Sequence, residues 1–392
     1  MSEADGPAAD APDRARHRTG AKTRRRARKI IASTAAAVLL LPVVAVGAFL
    51  LIVSPPVEPF EPRTWSPERA DHVEGIDIGA SVSDLSAETL AGPEDIAVDR
   101  TGMVYTGTID GLIVRIDPAT GASEEYADVG GRPLGLAFDA AGDLIVANHG
   151  LGLQSVSPCG EVRLLTGTAG GEPVLAANDL DIASDGVVYF TDSNRKYNST
   201  TLGERTSYSL YDFLEGRPLG RLLSYDPATE DTEVVSDDLY FPNGVVLDAE
   251  ETAVLVGEST RFRISRHWIA GPEAGSSDVL ADDLPGISDG FGRDERGGLI
   301  LSVYGRIDVL EDFVLPSRLA REIAVRLPED VLLGEPLTGS VLSLSEDGVI
   351  TERYSGLDPA ATNVVPHEGE WIIGSLVGEP VRVLPSPLGT GG

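Results

Sequence analysis

The sequence predicts an all-β fold, a six-bladed β-propeller preceded by a single N-terminal transmembrane helix. Three observations predict it. A short turn motif recurs six times along the chain. Each copy is followed by apolar runs bounded by Gly, Asp and Pro, which read as strands. Ahead of the first copy lies an uncharged stretch of 24 residues, long enough to cross a bilayer as a helix.

Residues 1–29 form a basic tail with nine Arg and Lys side chains and four acidic ones. Residues 30–53, IIASTAAAVLLLPVVAVGAFLLIV, are the expected anchor. Pro42 is tolerable in a membrane span. The apolar run exceeds a signal-peptide core, and Ser54-Pro55-Pro56 offers no small-x-small cleavage site, so an anchor is expected over a cleaved signal. The positive-inside rule puts the tail in the cytoplasm and everything after Val53 outside. Residues 54–84 open with a proline-rich stretch, SPPVEPFEPRTWSPERA, that reads as a stiff stalk.

Residues 85–392 carry the repeat. It occurs as Asp99-Arg-Thr-Gly102, Asp139-Ala-Ala-Gly142, Ser184-Asp-Gly186, Asp248-Ala-Glu-Glu251, Asp294-Glu-Arg-Gly297 and His367-Glu-Gly369. Strands repeating every ~40–50 residues are the signature of a propeller. Two intervals run longer, 64 residues from Ser184 to Asp248 and 73 from Asp294 to His367. They predict insertions at 195–219 and 306–336, the second of helical character and suited to a lid over one face.

Composition narrows the function. Residues 30–392 carry 22 basic and 58 acidic side chains. Such a domain repels nucleic acid and attracts cations. A single cysteine, Cys159, excludes disulfide frameworks and multi-cysteine metal sites.

The repeat also sets a register. Five positions before each copy stand Glu94, Leu134, Asp179, Asn243, Asp289 and Thr362, with Asn178 beside Asp179. Equivalent positions of successive blades lie on a ring around the channel axis. Glu94, Asn178 or Asp179, Asn243 and Asp289 would therefore converge from four blades. Hard oxygen donors with no His or Cys among them suit calcium, which accepts six to eight oxygens in flexible geometry.

Several segments carry a family resemblance: GPEDIAVD (92–99), GRPLGLAFD (131–139), NDLDIASDGVVYFTDSNRKY (178–197), LYFPNGVVLDAEE (239–251) and HEGEWIIGSL (367–376). They resemble the strictosidine-synthase-like and adipocyte plasma membrane-associated family of propellers, and more distantly gluconolactonases and paraoxonases. The resemblance implies a central calcium held by Glu94, Asn178, Asn243 and Asp289. It also implies a second calcium at Asp95 and Asp179 near Asn148-His149-Gly150. Two departures stand out. Relatives often have Asp-Asn where this chain has Asp289-Gly290. The catalytic Glu of plant strictosidine synthase is matched by Thr362, which argues against alkaloid condensation.

The expected function is calcium-dependent hydrolysis of a small ester or lactone, with Asp289 and His149 as the candidate catalytic residues. The rival is a non-catalytic, calcium-clamped binding propeller in the cell envelope. Asn198-Ser199-Thr200 has glycosylation-acceptor form.

Overall fold

The computed structural model describes residues 41, 43–70, 73–203, 208–333, 338–357 and 361–389. The chain divides into two compact units, residues 1–54 and 55–392. In the first, residues 43–52 are helical. Among the described residues no helix is long and apolar enough to cross a membrane. The rest of the expected span, residues 30–40 and Pro42, lies outside the described residues.

In the second unit each turn motif closes the first hairpin of a blade. Its leading Asp accepts hydrogen bonds from the backbone it turns back on. Asp139 Oδ1 takes the N–H groups of Ala141, Gly142 and Asp143 at 2.8–2.9 Å. Asp99 and Asp294 do the same for their own turns. The glycine ending the motif has a left-handed φ, +86° at Gly102 and +93° at Gly142, which a side chain would strain. The fourth copy has Glu251 at that place, with φ +53°. Its carboxylate accepts the backbone N–H and hydroxyl of Ser184 in the preceding blade.

Six such hairpins grow into six antiparallel sheets. Their innermost strands are Ile96–Val98, Arg132–Phe138, Ala177–Ile182, Pro242–Leu247, Gly286–Arg293 and Ala361–His367. Each touches the next, and the last touches the first. Ser83–Asp84 supplies the outer strand of blade six by pairing with Arg382–Pro385, so the two ends of the propeller are joined in one sheet. Ile76–Asp77 adds a parallel fifth strand to blade five.

The core is distributed between the blades. Separate apolar clusters fill the successive interfaces, for example Ile145, Leu180, Phe190 and Leu223 between blades two and three. The largest cluster extends from blades four and five into the insertions.

Both insertions join the second and third strands of their blades, at 193–219 and 306–338. Strand direction alternates within a blade, so this connection emerges on the face where the innermost strand begins. They hold helices Ser199–Leu202, Tyr208–Glu215, Arg318–Ala324 and Glu329–Leu333, with a π-turn at Leu310–Val314. The buried Arg321 guanidinium donates to the carbonyls of Phe213, Leu214 and Leu315 and links the two insertions.

Residues 55–70, expected as a stalk, lie on these insertions. Val57, Phe60 and Trp65 pack against the large cluster. The Arg63 N–H donates to Glu215 O, and Arg261 sits 4.5 Å from the Trp65 ring and 3.7 Å from that of Tyr240.

Candidate metal centre

The site grows out of an irregularity in the innermost strands. In blades two to six the pairing between the first two strands slips where the ring residue stands, at Pro133/Gly135, Ala177/Leu180, Pro242/Val245, Ser288/Phe291 and Ala361/Val364. A bulge frees the extra residue from the ladder and re-aims its side chain. One cavity results, lined by Glu94, Asp95, Leu134, Asn178, Asp179, Asn243, Asp289, Gly290, Thr362 and Asn363. Its volume is about 10 Å³, close to that of one water-sized sphere.

The residue that follows the ring position has a different role in blades one and three. Asp95 and Asp179 stitch blades together. Asp95 accepts the N–H of Ile96 at 2.7 Å and of Leu136, in blade two, at 2.6 Å. Asn363 of blade six donates its amide to the same carboxylate. Asp179 accepts Leu180 N–H at 2.8 Å and Val245 N–H, in blade four, at 2.9 Å. The carboxylates expected at a second calcium are thus engaged by backbone donors.

Gly290 has a steric cause. A Cβ there would lie 2.7 Å from both Thr362 O and Asn363 Cγ. Blade six occupies the space that a side chain at 290 would need.

The ring residues are held differently. Asn178 spends its Nδ2 on Ser193 Oγ at 2.9 Å, and Ser193 in turn donates to Pro242 O at 2.7 Å. Asn243 donates its Nδ2 to Asp289 Oδ1 at 2.7 Å. Among the described residues neither Asn Oδ1 accepts a hydrogen bond. Asp289 Oδ2 accepts the hydroxyl of Tyr304. Glu94 Oε2 is buried and has no hydrogen-bond partner. The nearest cation, Arg132 Nη2, is 3.9 Å away, too far for a hydrogen bond.

Burial makes these charges costly. It raises the Asp289 carboxyl to about 8, with the charge of Glu94 adding to the shift. Burial also raises Glu94, and raises Asp95 to about 7. A cation among them would remove that penalty. Two carboxylates and two amide oxygens, one of them an orphaned buried oxygen at Glu94, fit a hard divalent ion of the calcium type. Among the described residues no three His, Cys, Asp or Glu side chains group as a metal cluster. The donor set here is half amide.

His149 does not line this cavity. It ends the second strand of blade two, with its ring stacked on Tyr208 at 4.6 Å. Its Nε2 accepts the Ser199 N–H at 3.2 Å. Burial, with the nearby Arg132 charge, lowers its pKa to about 3. Asn148 Oδ1 accepts Arg132 N–H, and its amide donates to Gly130 O and Gln154 Oε1. Asn198 is fully buried, which keeps its Nδ2 from a glycan, and its Oδ1 caps helix Ser199–Leu202 by accepting Thr200 N–H. Sequence reasoning missed Ser193, Tyr304 and Arg132. The first two lie nine and ten positions after their turn motifs begin, a second register that the repeat also defines.

The fold and site define a six-bladed β-propeller with a ring of acid and amide side chains at one mouth of its channel. The family model for strictosidine synthase matches residues 178–272, and that for the strictosidine synthase-like N-terminal region matches 81–116. Strictosidine synthase-like 7 of Arabidopsis thaliana is 32% identical over 69% of this chain and 72% of its own length. The adipocyte plasma membrane-associated protein of Salmo salar is 34% identical over 74% of this chain and 75% of its own. The chain belongs to the strictosidine-synthase-like family. Among solved structures, a gluconolactonase from Xanthomonas campestris superposes with a TM-score of 0.57 at 18% identity, over 84% of this chain and 98% of its own. A calcium-binding regucalcin from Agrobacterium tumefaciens does so with a TM-score of 0.52 at 14% identity, over 76% and 91%. These two likenesses are of fold.

Proposed function

We propose that the protein is a calcium-dependent hydrolase of small esters or lactones, tethered to a membrane through residues 30–53 with the propeller on the extracytoplasmic side. The observation that carries this reading is the buried Glu94 Oε2 without a hydrogen-bond partner, on a residue that lines one ion-sized cavity with Asn178, Asn243 and Asp289. These four residues would hold the ion. When bound, calcium supplies a Lewis acid for the substrate carbonyl and for the charge that develops on its oxygen.

The chain's own residues supply the rest. Asp289 is the base or nucleophile, because it lines the cavity and its carboxylate is oriented by the Tyr304 hydroxyl. Asn243 holds the other carboxylate oxygen, and Ser193 holds Asn178. Thr362 donates its hydroxyl to Glu94 O and positions the first-blade loop. It has no acid–base capacity, so condensation of the strictosidine synthase type is not proposed. His149 is left out of the chemistry, because Ser199 occupies its ring lone pair.

One observation favours a calcium-clamped binding propeller instead. Both oxygens of Asp289 already accept a hydrogen bond. Turnover decides between the two. The full chain is assayed on an aryl acetate and a panel of lactones, with calcium, with a chelator, and after calcium is restored. Hydrolysis that disappears and returns with calcium is expected. A calcium-dependent rise in Tm without turnover on any substrate would leave only the binding reading.

A further inference from the structure

Arg132 opens the innermost strand of blade two, the blade that presents only Leu134 to the cavity. Its side chain is 13% exposed. Among the described residues its guanidinium donates no hydrogen bond and has one acidic neighbour within 4 Å, Glu94 Oε2 at 3.9 Å. Its charge also acts on Asp289 and Tyr304 of the ring and on His149 and Tyr208 beside the first insertion.

An arginine with so little exposure ordinarily places its five N–H donors on carbonyls or carboxylates. Arg321 and Arg221 in this molecule do so. Arg132 does not, and its planar fork suits two-point binding of a carboxylate. Once Glu94 is committed to an ion, the fork loses its one carboxylate neighbour within 4 Å among the described residues.

We propose that Arg132 determines specificity by binding a carboxylate of the substrate, so that the preferred substrates are esters or lactones bearing an anionic carboxylate. This rests on the hydrolase reading for its reaction but not for its binding step.

The test uses the full chain in calcium and a matched pair of esters, para-nitrophenyl acetate and mono-para-nitrophenyl succinate. In Arg132→Met the ratio of kcat/KM for the succinate ester to that for the acetate should fall roughly 10- to 100-fold, mainly through KM. Arg132→Lys should restore part of it. A ratio that moves by less than about 3-fold overturns the proposal, including the case where both esters lose equally, because a general role in stabilising the reacting oxygen would do that. Free succinate supplies a second readout that needs no turnover. It should raise the Tm of the wild-type chain and fail to raise that of Arg132→Met. If neither ester is hydrolysed, this shift alone decides. A shift lost in Arg132→Met upholds the proposal, and no shift in the wild type, or one that survives the substitution, overturns it.

Discussion

A donor's role at this site is set by what its other end is doing. Asn178 and Asn243 keep their Oδ1 atoms free because Ser193 and Asp289 hold their nitrogens. Asp95 and Asp179 line the same cavity and are as buried, yet they bind backbone N–H groups of their own and neighbouring strands. His149 shows the same logic in reverse, because the donor that orients its ring also blocks it. His149→Phe keeps the stack on Tyr208 and should lower kcat by less than about 10-fold, where removal of a general base typically costs 10²–10⁴. The pH–rate profile should likewise show no limb from this residue, because burial keeps it neutral across the working range. The ring itself was legible in the sequence, because a sixfold repeat converts a sequence offset into a position around an axis. Tyr304, Ser193 and Arg132 were not. Ser193 and Tyr304 stand at the far end of the second strands, in a register the repeat defines but which carries no ligand-type pattern of its own, and Arg132 stands two residues before Leu134.

The insertions were visible as breaks in the spacing of the repeat, and the second, 306–336, was expected to be helical, whereas the helices Ser199–Leu202 and Tyr208–Glu215 of the first were not expected. Their attachment was not visible. Buried polar contacts between segments more than a hundred residues apart leave no local pattern, and Arg321 makes two of them. Removing that donor strands the buried carbonyls of Phe213 and Leu214, while Leu315 O keeps the Trp65 N–H. Arg321→Ala should destabilise the paired insertions by about 3 kcal/mol or more, read as faster amide exchange in helix Tyr208–Glu215 with the blades unaffected. Asp212 in that helix is fully buried and accepts the Thr260 hydroxyl and the Asn194 amide, both at 2.6 Å. Burial raises its carboxyl to about 7. The folded form therefore holds its proton where the unfolded chain has lost it. The stabilisation is full below about pH 4 and is lost as pH rises through about 7. Protection of this helix should fall over that window, and Asp212→Asn, which cannot ionise, should flatten the fall. The proline-rich stretch at 55–70 read as a stalk from composition, while Val57, Phe60 and Trp65 were the apolar residues that give it a surface to bind.

At the scale of the whole molecule, the number of blades came from counting turns, and each turn proved to be the first hairpin of a blade. The closure of blade six by Ser83–Asp84 could not be read in advance, because two polar residues carry no strand signal. Closure matters for function. A ring assembled from blades one, three, four and five keeps its donors together only while the sheets stay locked in a circle. The same circle brings together carboxylates whose burial is costly without a cation, and calcium binding would return that cost as stability of the closed form.

The most direct measurement is a calorimetric titration of the metal-stripped full chain with calcium, repeated on the double substitution Glu94→Gln, Asp289→Asn. The account predicts one calcium bound per wild-type chain and none at this site in the double variant, whose circular dichroism should still report an intact propeller. Absence of binding by the wild type, or binding that survives both substitutions, would contradict it.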